Sequence, residues 1–153
     1  MRTQETIRTL NRLIRICRDA EDFCRAAGGR VASTDLGMML RHRSEEWGRL
    51  GDELQALVLL LGGTPATSET LAARVRHWAL VVKRLLAGPA DATVIAAWRS
   101  IERQAEERYA EAIGGYLPER IRRTVSLQAD HVVNRAERIG SLLGEVAMHS
   151  PSS

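Results

Sequence analysis

The fold is decided by residues 33–61, which read STDLGMMLRHRSEEWGRLGDELQALVLLL. Large apolar residues recur along this stretch at steps of three, four or seven: Leu36, Leu40, Trp47, Leu50, Leu54, Leu57 and Leu61. That spacing places them on one side of an α-helix, and a stripe this long needs neighbouring helices to cover it. Arg43 occupies the same stripe and Glu46 lies on its shoulder. The stretch therefore predicts a bundle helix with charged side chains at or near the core.

Composition favours an all-α globular domain. The chain has 153 residues, of which 44% are hydrophobic and 27% are charged, as is typical of a folded domain with a core. Aromatic residues make up only 4%, and no segment alternates apolar and polar residues with a period of two. We therefore predict a single helical-bundle domain over residues 1–148, followed by a disordered tail at 149–153.

Five segments are predicted to be helices, separated by glycine or proline: 3–27, 33–61, 68–87, 89–113 and 118–148. Short connections make the first two helices antiparallel neighbours, and likewise the last two. The third segment is long enough to return along the bundle, so the second and fourth helices should run parallel. This predicts a ferritin-like four-helix bundle with a long helical crossover between the second and third bundle helices.

Glycines and caps mark the predicted boundaries. The Gly28–Gly29 pair is expected to end the first helix in a left-handed glycine conformation, and the Gly62–Gly63 pair is expected to stop the second. Either Ser33 or Thr34 is expected to be the N-cap of the second helix. Gly48 and Gly51 are unusual inside that helix, since each costs about 1 kcal/mol relative to alanine. A close helix crossing, or space beside a site, would explain them, and the close crossing is the commoner case.

The charge distribution does not favour nucleic acid as a partner. The net charge is +3, but the arginines are spread along every helix, and most have Glu or Asp beside them. The basic blocks at 41–43 and 120–123 are short and contain no interleaved aromatic residues. Solvated helix faces explain them better than a nucleic-acid interface does.

Cysteine spacing and hydropathy predict a cytoplasmic protein without a membrane segment. Cys17 and Cys24 are two helical turns apart, roughly 10 Å, which is too far for a disulfide between them. They are expected to be free thiols in a reducing compartment. The N-terminus has no apolar signal segment, and no apolar run approaches the ~20 residues that span a bilayer.

Four polar side chains are predicted to form a band inside the bundle, one from each long helix: Glu21, Glu46, Glu102 and Gln128. The positions of the turns place them within one or two helical turns of one height, with Glu21 opposite residues 40–43. A carboxylate in a core costs several kcal/mol if it is unpaired, so each must meet a metal, an arginine or water.

The metal interpretation has a known template. A di-metal bundle takes one Glu from each of two helices and a Glu-x-x-His pair from each of the other two. Arg49 stands where a histidine should follow Glu46, and Gln128 stands where a carboxylate should precede His131. The predicted metal site is therefore degenerate, with iron or manganese as its metals and these ligands: Glu21, Glu46, Glu102 and His131.

Arginine offers the other interpretation of the same band. Arg43 and Arg135 lie on the core stripes of their helices, where each could neutralise a buried carboxylate. A nearby arginine would also repel a divalent cation. The pattern thus favours glutamate–arginine pairs in a degenerate site over a working di-metal centre.

Three stretches resemble a known family: residues 9–19 (TLNRLIRICRD), residues 53–57 (ELQAL) with the Gly62–Gly63 pair, and residues 101–103 (IER). They are similar to an uncharacterised bacterial family of ferritin-like four-helix-bundle proteins, grouped as a domain of unknown function. The resemblance extends over about residues 5–143, and it implies the fold and a ferritin-like ancestry without an established activity. Members often carry a His-Asp-Arg-Ile-like run late in the last helix. Here residues 136–139 read AERI, without the histidine.

The sequence contains no nucleophile–base pair, phosphate-binding glycine loop or zinc-type cluster, so we expect neither catalytic residues nor a cofactor. The predicted function is that of a non-enzymatic interaction or stress-related protein, working as a homo-oligomer or with a protein partner. The alternative is a di-iron or di-manganese ferritin-like oxidase or metal-binding protein. A nucleic-acid-associated basic protein is the third and least favoured hypothesis.

Overall fold

The computed structural model describes residues 2–66, 71–85, 87 and 90–149, and these contain five helices and no strand. The helices are α1 (Arg2–Gly28), α2 (Thr34–Leu60), α3 (Leu71–Leu85), α4 (Ala90–Gly114) and α5 (Glu119–His149). The all-α prediction is confirmed. Bounds differ from those predicted by one residue in α1, α2, α4 and α5, and the described helical part of the predicted 68–87 segment is Leu71–Leu85. Of the predicted helices and tail, residues 68–70, Leu86, Pro89 and 150–153 lie outside the described residues.

A helix cap and side-chain hydrogen bonds fix the turn between α1 and α2. Ser33 is the N-cap of α2, since its hydroxyl accepts a hydrogen bond from the Leu36 backbone N–H at 3.2 Å. Asp91, in the first turn of α4, accepts hydrogen bonds from the backbone N–H groups of Ala32 (3.0 Å) and Ser33 (2.9 Å). The start of α4 is thereby joined to the turn that orients α2.

Glycine allows α1 and α2 to approach closely at one end. A Cβ added to Gly37 would lie 3.0 Å from the Gly28 carbonyl oxygen, and one added to Gly28 would lie 3.2 Å from the Gly37 carbonyl oxygen. Of the two explanations for Gly48 and Gly51, the structure favours space left for side chains over a close helix crossing, because side chains of α1 face both glycines. Their added Cβ atoms would lie 2.7 Å from Oε2 of Glu21 and 3.0 Å from Cζ of Arg18, respectively.

The helix ends differ in how they use glycine. Among the described residues only Gly62 has a positive φ, +77°, and the predicted stop of α2 at the Gly62–Gly63 pair is confirmed. The left-handed conformation predicted for the Gly28–Gly29 pair is wrong, because Gly28 is the last residue of α1 and neither glycine has a positive φ. Gly28 is needed for its missing side chain, since the backbone of α2 occupies the space that a Cβ would fill.

The core lies between α1, α2, α4 and α5, and α3 packs against α1 and α4. Large apolar side chains from the four long helices are fully or almost fully buried, among them Leu10, Ile14, Leu40, Trp47, Leu54, Trp98, Val125 and Val132. Helical spacing also predicts Val75 of α3 and Leu142 of α5 on core stripes, but both side chains are exposed, by 48% and 38% respectively. In α5 the buried stripe advances four residues from Ile139 to Leu143, which leaves Leu142 outside.

We expect Gly37→Ala to destabilise the protein by about 1–3 kcal/mol, because the new methyl group would press on a carbonyl of α1 that cannot rotate away. Urea unfolding measures the change in the free energy of unfolding. Gly114→Ala is the matched control, since a Cβ at Gly114 has nothing within 4 Å and that variant should be as stable as the parent or more so. Equal stability of the two variants would contradict the close crossing at Gly37.

Candidate functional site

The centre of the polar band is a buried ion pair between α2 and α4. Arg43 is 1% exposed, and its Nε and Nη2 donate to Oε1 and Oε2 of Glu102 at 2.6 and 3.0 Å. Two parallel N–H···O bonds of this kind are the strongest arrangement available to a guanidinium and a carboxylate. The pair follows from sequence position, because both residues lie on the apolar stripes that turn inward when the helices pack.

Two tryptophans complete the surroundings of Glu102. The indole N–H groups of Trp47 in α2 and Trp98 in α4 each donate to Oε1 at 3.2 Å. The carboxylate of Glu102 therefore accepts four hydrogen bonds from donors that are themselves almost entirely buried. The Arg43 guanidinium contacts both oxygens of this carboxylate, so a metal ion bound there would compete with a buried positive charge.

The other side of Arg43 faces Glu46. Its Nη1 is 3.6 Å from Oε1 of Glu46, beyond hydrogen-bond distance, and has no hydrogen-bond partner among the described residues. The guanidinium carbon also lies 4.6 Å from the ring centroid of Trp47, a cation–π arrangement. Arg43 thus links the Glu102 pair to a second carboxylate of the band.

Glu46 joins α2 to α5. Its Oε2 accepts a hydrogen bond from Nε of Arg135 at 2.7 Å and lies 3.2 Å from Nε2 of His131. Nη2 of Arg135 also contacts Nε2 of His42 at 2.9 Å. Burial disfavours the charged form of Glu46, but the Arg135 hydrogen bond and the charges of Arg43, Arg135 and His42 outweigh it. Together they lower the pKa of Glu46 from its ordinary 4.5.

Glu21 belongs to a different cluster, on the side of the bundle where α3 lies. Its carboxylate is 3.2 Å from Arg18 and 3.7 Å from Arg74 of α3, and it occupies the space left by Gly48. The Ser44 hydroxyl donates to its backbone carbonyl at 2.8 Å. Glu21 is therefore opposite residues 44–48, about one turn beyond the predicted 40–43.

A chain of neutral polar groups crosses the core beside the ion pair. The Tyr109 hydroxyl lies 2.6 Å from Oε1 of Gln128 and 3.4 Å from Sγ of Cys17, and Nε2 of Gln128 donates to the Leu50 carbonyl at 3.3 Å. Burial raises the pKa of the Cys17 thiol to about 12 and also raises that of the Tyr109 hydroxyl. These groups stay protonated at neutral pH and connect all four long helices.

The four predicted metal ligands are thus only partly brought together. Glu46 and His131 are in contact, and Glu46 and Glu102 share Arg43, whereas Glu21 pairs with other arginines. Within the described residues no set of three or more His, Cys, Asp or Glu side chains is arranged to hold a metal ion. The structure does contain the glutamate–arginine pairs that Arg43 and Arg135 suggested.

Sequence reasoning missed several members of this network. Asp22 is 4% exposed and binds Arg74 of α3 through two hydrogen bonds of 2.8 and 2.9 Å, but it lies off the stripe used to select core residues. Sequence reasoning also gives no hydrogen-bonding role to three buried aromatic side chains, those of Trp47, Trp98 and Tyr109. The sequence does contain a signal for these hydrogen bonds, because a buried indole N–H or phenol O–H needs a polar partner.

A comparison with protein families gives one match. The model of a family described as "Domain of unknown function (DUF2383)" matches residues 5–115, which cover α1 from residue 5 and all of α2 to α4 but not α5. No curated protein matches the sequence. Among the residues that the structure describes, no helix is both long and apolar enough to cross a membrane.

The lowered pKa of Glu46 predicts a pH-dependent contribution to stability. Because the folded-state pKa is depressed, the ionised carboxylate stabilises the protein above pH 4.5, and this contribution is lost as the pH falls through the lowered value. Glu46→Gln should therefore lower the free energy of unfolding at pH 7, and the difference from the parent should disappear in acid. Urea unfolding between pH 3 and 7 measures it.

The control for this pH series is Glu45→Gln, at the exposed neighbouring position, which has no ion pair with a described residue. Its stability should follow that of the parent at every pH. If the difference between the parent and Glu46→Gln were independent of pH, the ion pair with Arg135 would not be the source of the stabilisation.

Proposed function

The chain belongs to the DUF2383 family, and from that premise we propose that it is a non-enzymatic, ferritin-like four-helix bundle acting through contacts with other protein chains. The bundle is a single domain over residues 1–148, formed by α1, α2, α4 and α5. The crossover is α3, since it packs against α1 and α4 and links the α1–α2 pair to the α4–α5 pair. This arrangement supports the ferritin-like connectivity.

The bidentate hydrogen bonding of Arg43 to Glu102 is the observation that supports the non-enzymatic assignment. In a di-metal bundle the inward carboxylates are neutralised by the metal ions. Here the guanidinium of Arg43 supplies the positive charge at Glu102, and Arg135 supplies it at Glu46. We interpret the polar band as a degenerate metal site in which arginine has taken over the structural role of the metal.

Exposed apolar side chains support a role in protein contacts. Leu60 is 82% exposed, Leu127 67% and Met38 62%, and they belong to helices whose opposite faces form the core. Exposed large apolar side chains are common in protein interfaces. A homo-oligomer or a complex with a partner protein would cover them. A cytoplasmic location is proposed with this role, and the free, buried thiols of Cys17 and Cys24 favour it.

Metal analysis tests the assignment against its alternative, a di-iron or di-manganese oxidase or metal-binding protein. We expect protein produced in iron- and manganese-supplemented medium to contain well under one metal ion per chain, because Arg43 would have to leave Glu102 first. Elemental analysis of the purified protein measures the content, with Glu102→Ala as the comparison. Close to two metal ions per chain, lost in Glu102→Ala, would overturn the non-enzymatic assignment.

A further inference from the structure

The inner face of α3 is held on the bundle by polar and aromatic contacts. Arg74 donates two hydrogen bonds to Asp22 of α1, at 2.8 and 2.9 Å. The ring of Trp78 packs edge-on against Phe23 with centroids 6.1 Å apart, and Val82 is fully buried. The inner face is therefore occupied, and the opposite face is directed to solvent.

Helix α3 accounts for the net positive charge of the protein. Four of the 22 basic residues and none of the 19 acidic residues lie in Leu71–Leu85, so the rest of the chain has a formal net charge of −1. Arg74 is neutralised by Asp22, whereas Arg76, Lys83 and Arg84 are exposed and have no ion pair with a described residue.

These cations surround an exposed apolar side chain. Leu80 is 53% exposed and lies four residues after Arg76, with Lys83 and Arg84 three and four residues further on. Side chains at this spacing share one helix face. We call Arg76, Leu80, Lys83 and Arg84 the basic strip, which extends for roughly 12 Å along the helix at ~1.5 Å per residue.

An outward strip of opposite charge lies on α5. Leu127 is 67% exposed and Val133 42%, and Asp130 and Glu137 beside them are exposed and have no ion pair with a described residue. We call Leu127, Asp130, Val133 and Glu137 the acidic strip, about 15 Å long on the same helical scale. Burial, followed by the charges of Glu102 and Glu137, raises the pKa of Glu106 in α4, so Glu137 lies close enough to α4 to affect a second carboxyl group.

We propose that the basic strip of one copy docks on the acidic strip of a second copy, which deepens the proposed role in protein contacts and rests on it. Leu80 would then be covered by Leu127 and Val133, while the cations around it face Asp130 and Glu137. The strips are opposite in charge, each includes exposed apolar side chains, and their lengths are similar, which favours a second copy over a lipid surface or a nucleic acid. Because two different surfaces meet, each copy retains one free strip and the assembly can grow with concentration.

Charge reversal tests this docking in the full-length protein. Sedimentation analysis should show an average mass that rises with protein concentration and falls on adding salt. The double substitution Arg76→Glu with Lys83→Glu should weaken self-association at least about tenfold, and so should Asp130→Arg with Glu137→Arg. An equimolar mixture of the two variants should associate again, because the reversed strip of each is complementary to the unreversed strip of the other.

The matched control is Arg12→Glu with Arg15→Glu, which changes the net charge as much as the α3 reversal does but alters exposed positions on α1. It should associate like the parent, and circular dichroism should show that all three variants are folded. A monomeric parent at every concentration would overturn the inference, and so would self-association that neither strip reversal weakens. Self-association that neither reversal weakens would leave the proposed role in protein contacts intact. Two metal ions per chain, by contrast, would refute the proposed function itself.

If the parent protein is monomeric, two further binding measurements apply. Sedimentation with phosphatidylglycerol vesicles, or a gel shift with duplex DNA, would show the basic strip binding lipid or nucleic acid if the Arg76→Glu and Lys83→Glu variant alone lost binding. Either result would assign the strip to a different kind of partner and contradict docking to a second copy.

Discussion

The rest of the structure depends on the buried pair of Arg43 and Glu102. Removing two charges from water costs several kcal/mol each, and only close, well-satisfied contacts offset that cost. Here the guanidinium and the carboxylate share two hydrogen bonds, and two indole N–H groups complete the carboxylate's environment. Such a pair adds little net stability over a well-packed apolar core, but it makes other registers of α2 against α4 expensive. We infer that its main effect is to fix the relative height of these helices.

The remaining polar contacts extend that constraint around the bundle. Glu46 and Arg135 join α2 to α5, and the chain through Tyr109 and Gln128 runs from α1 through α4 and α5 to the backbone of α2. Asp22 and Arg74 hold α3 on α1 in the same manner. Each helix is therefore positioned by directional contacts as well as by apolar packing. A network that is almost fully satisfied specifies one arrangement of helices, whereas apolar packing alone tolerates several.

Much of the architecture could be predicted from sequence. The spacing of apolar residues indicates which face of each helix is buried, and the positions of glycines indicate where the helices end. The same stripes identified Arg43, Glu46, Glu102 and Gln128 as inward polar residues, and all four are buried. The partners of these residues could not be derived, since a shift of one helical turn exchanges one partner for another. Glu21 shows this most clearly, because it lies one turn from its predicted level and pairs with arginines of α1 and α3. The functions of Gly37 and Gly48 likewise depend on which atoms of a neighbouring helix face them.

The most direct test of this account is a double-mutant cycle between Arg43 and Glu102, measured by urea unfolding at pH 7. Arg43→Met and Glu102→Gln should each cost about 3–5 kcal/mol, because each leaves one charge of the pair without its main partner in the core. The double variant should cost well under the sum of the two, with a coupling energy of at least about 2 kcal/mol. Additive effects, with coupling within about 0.5 kcal/mol, would show that the two charges do not depend on each other and would contradict the account.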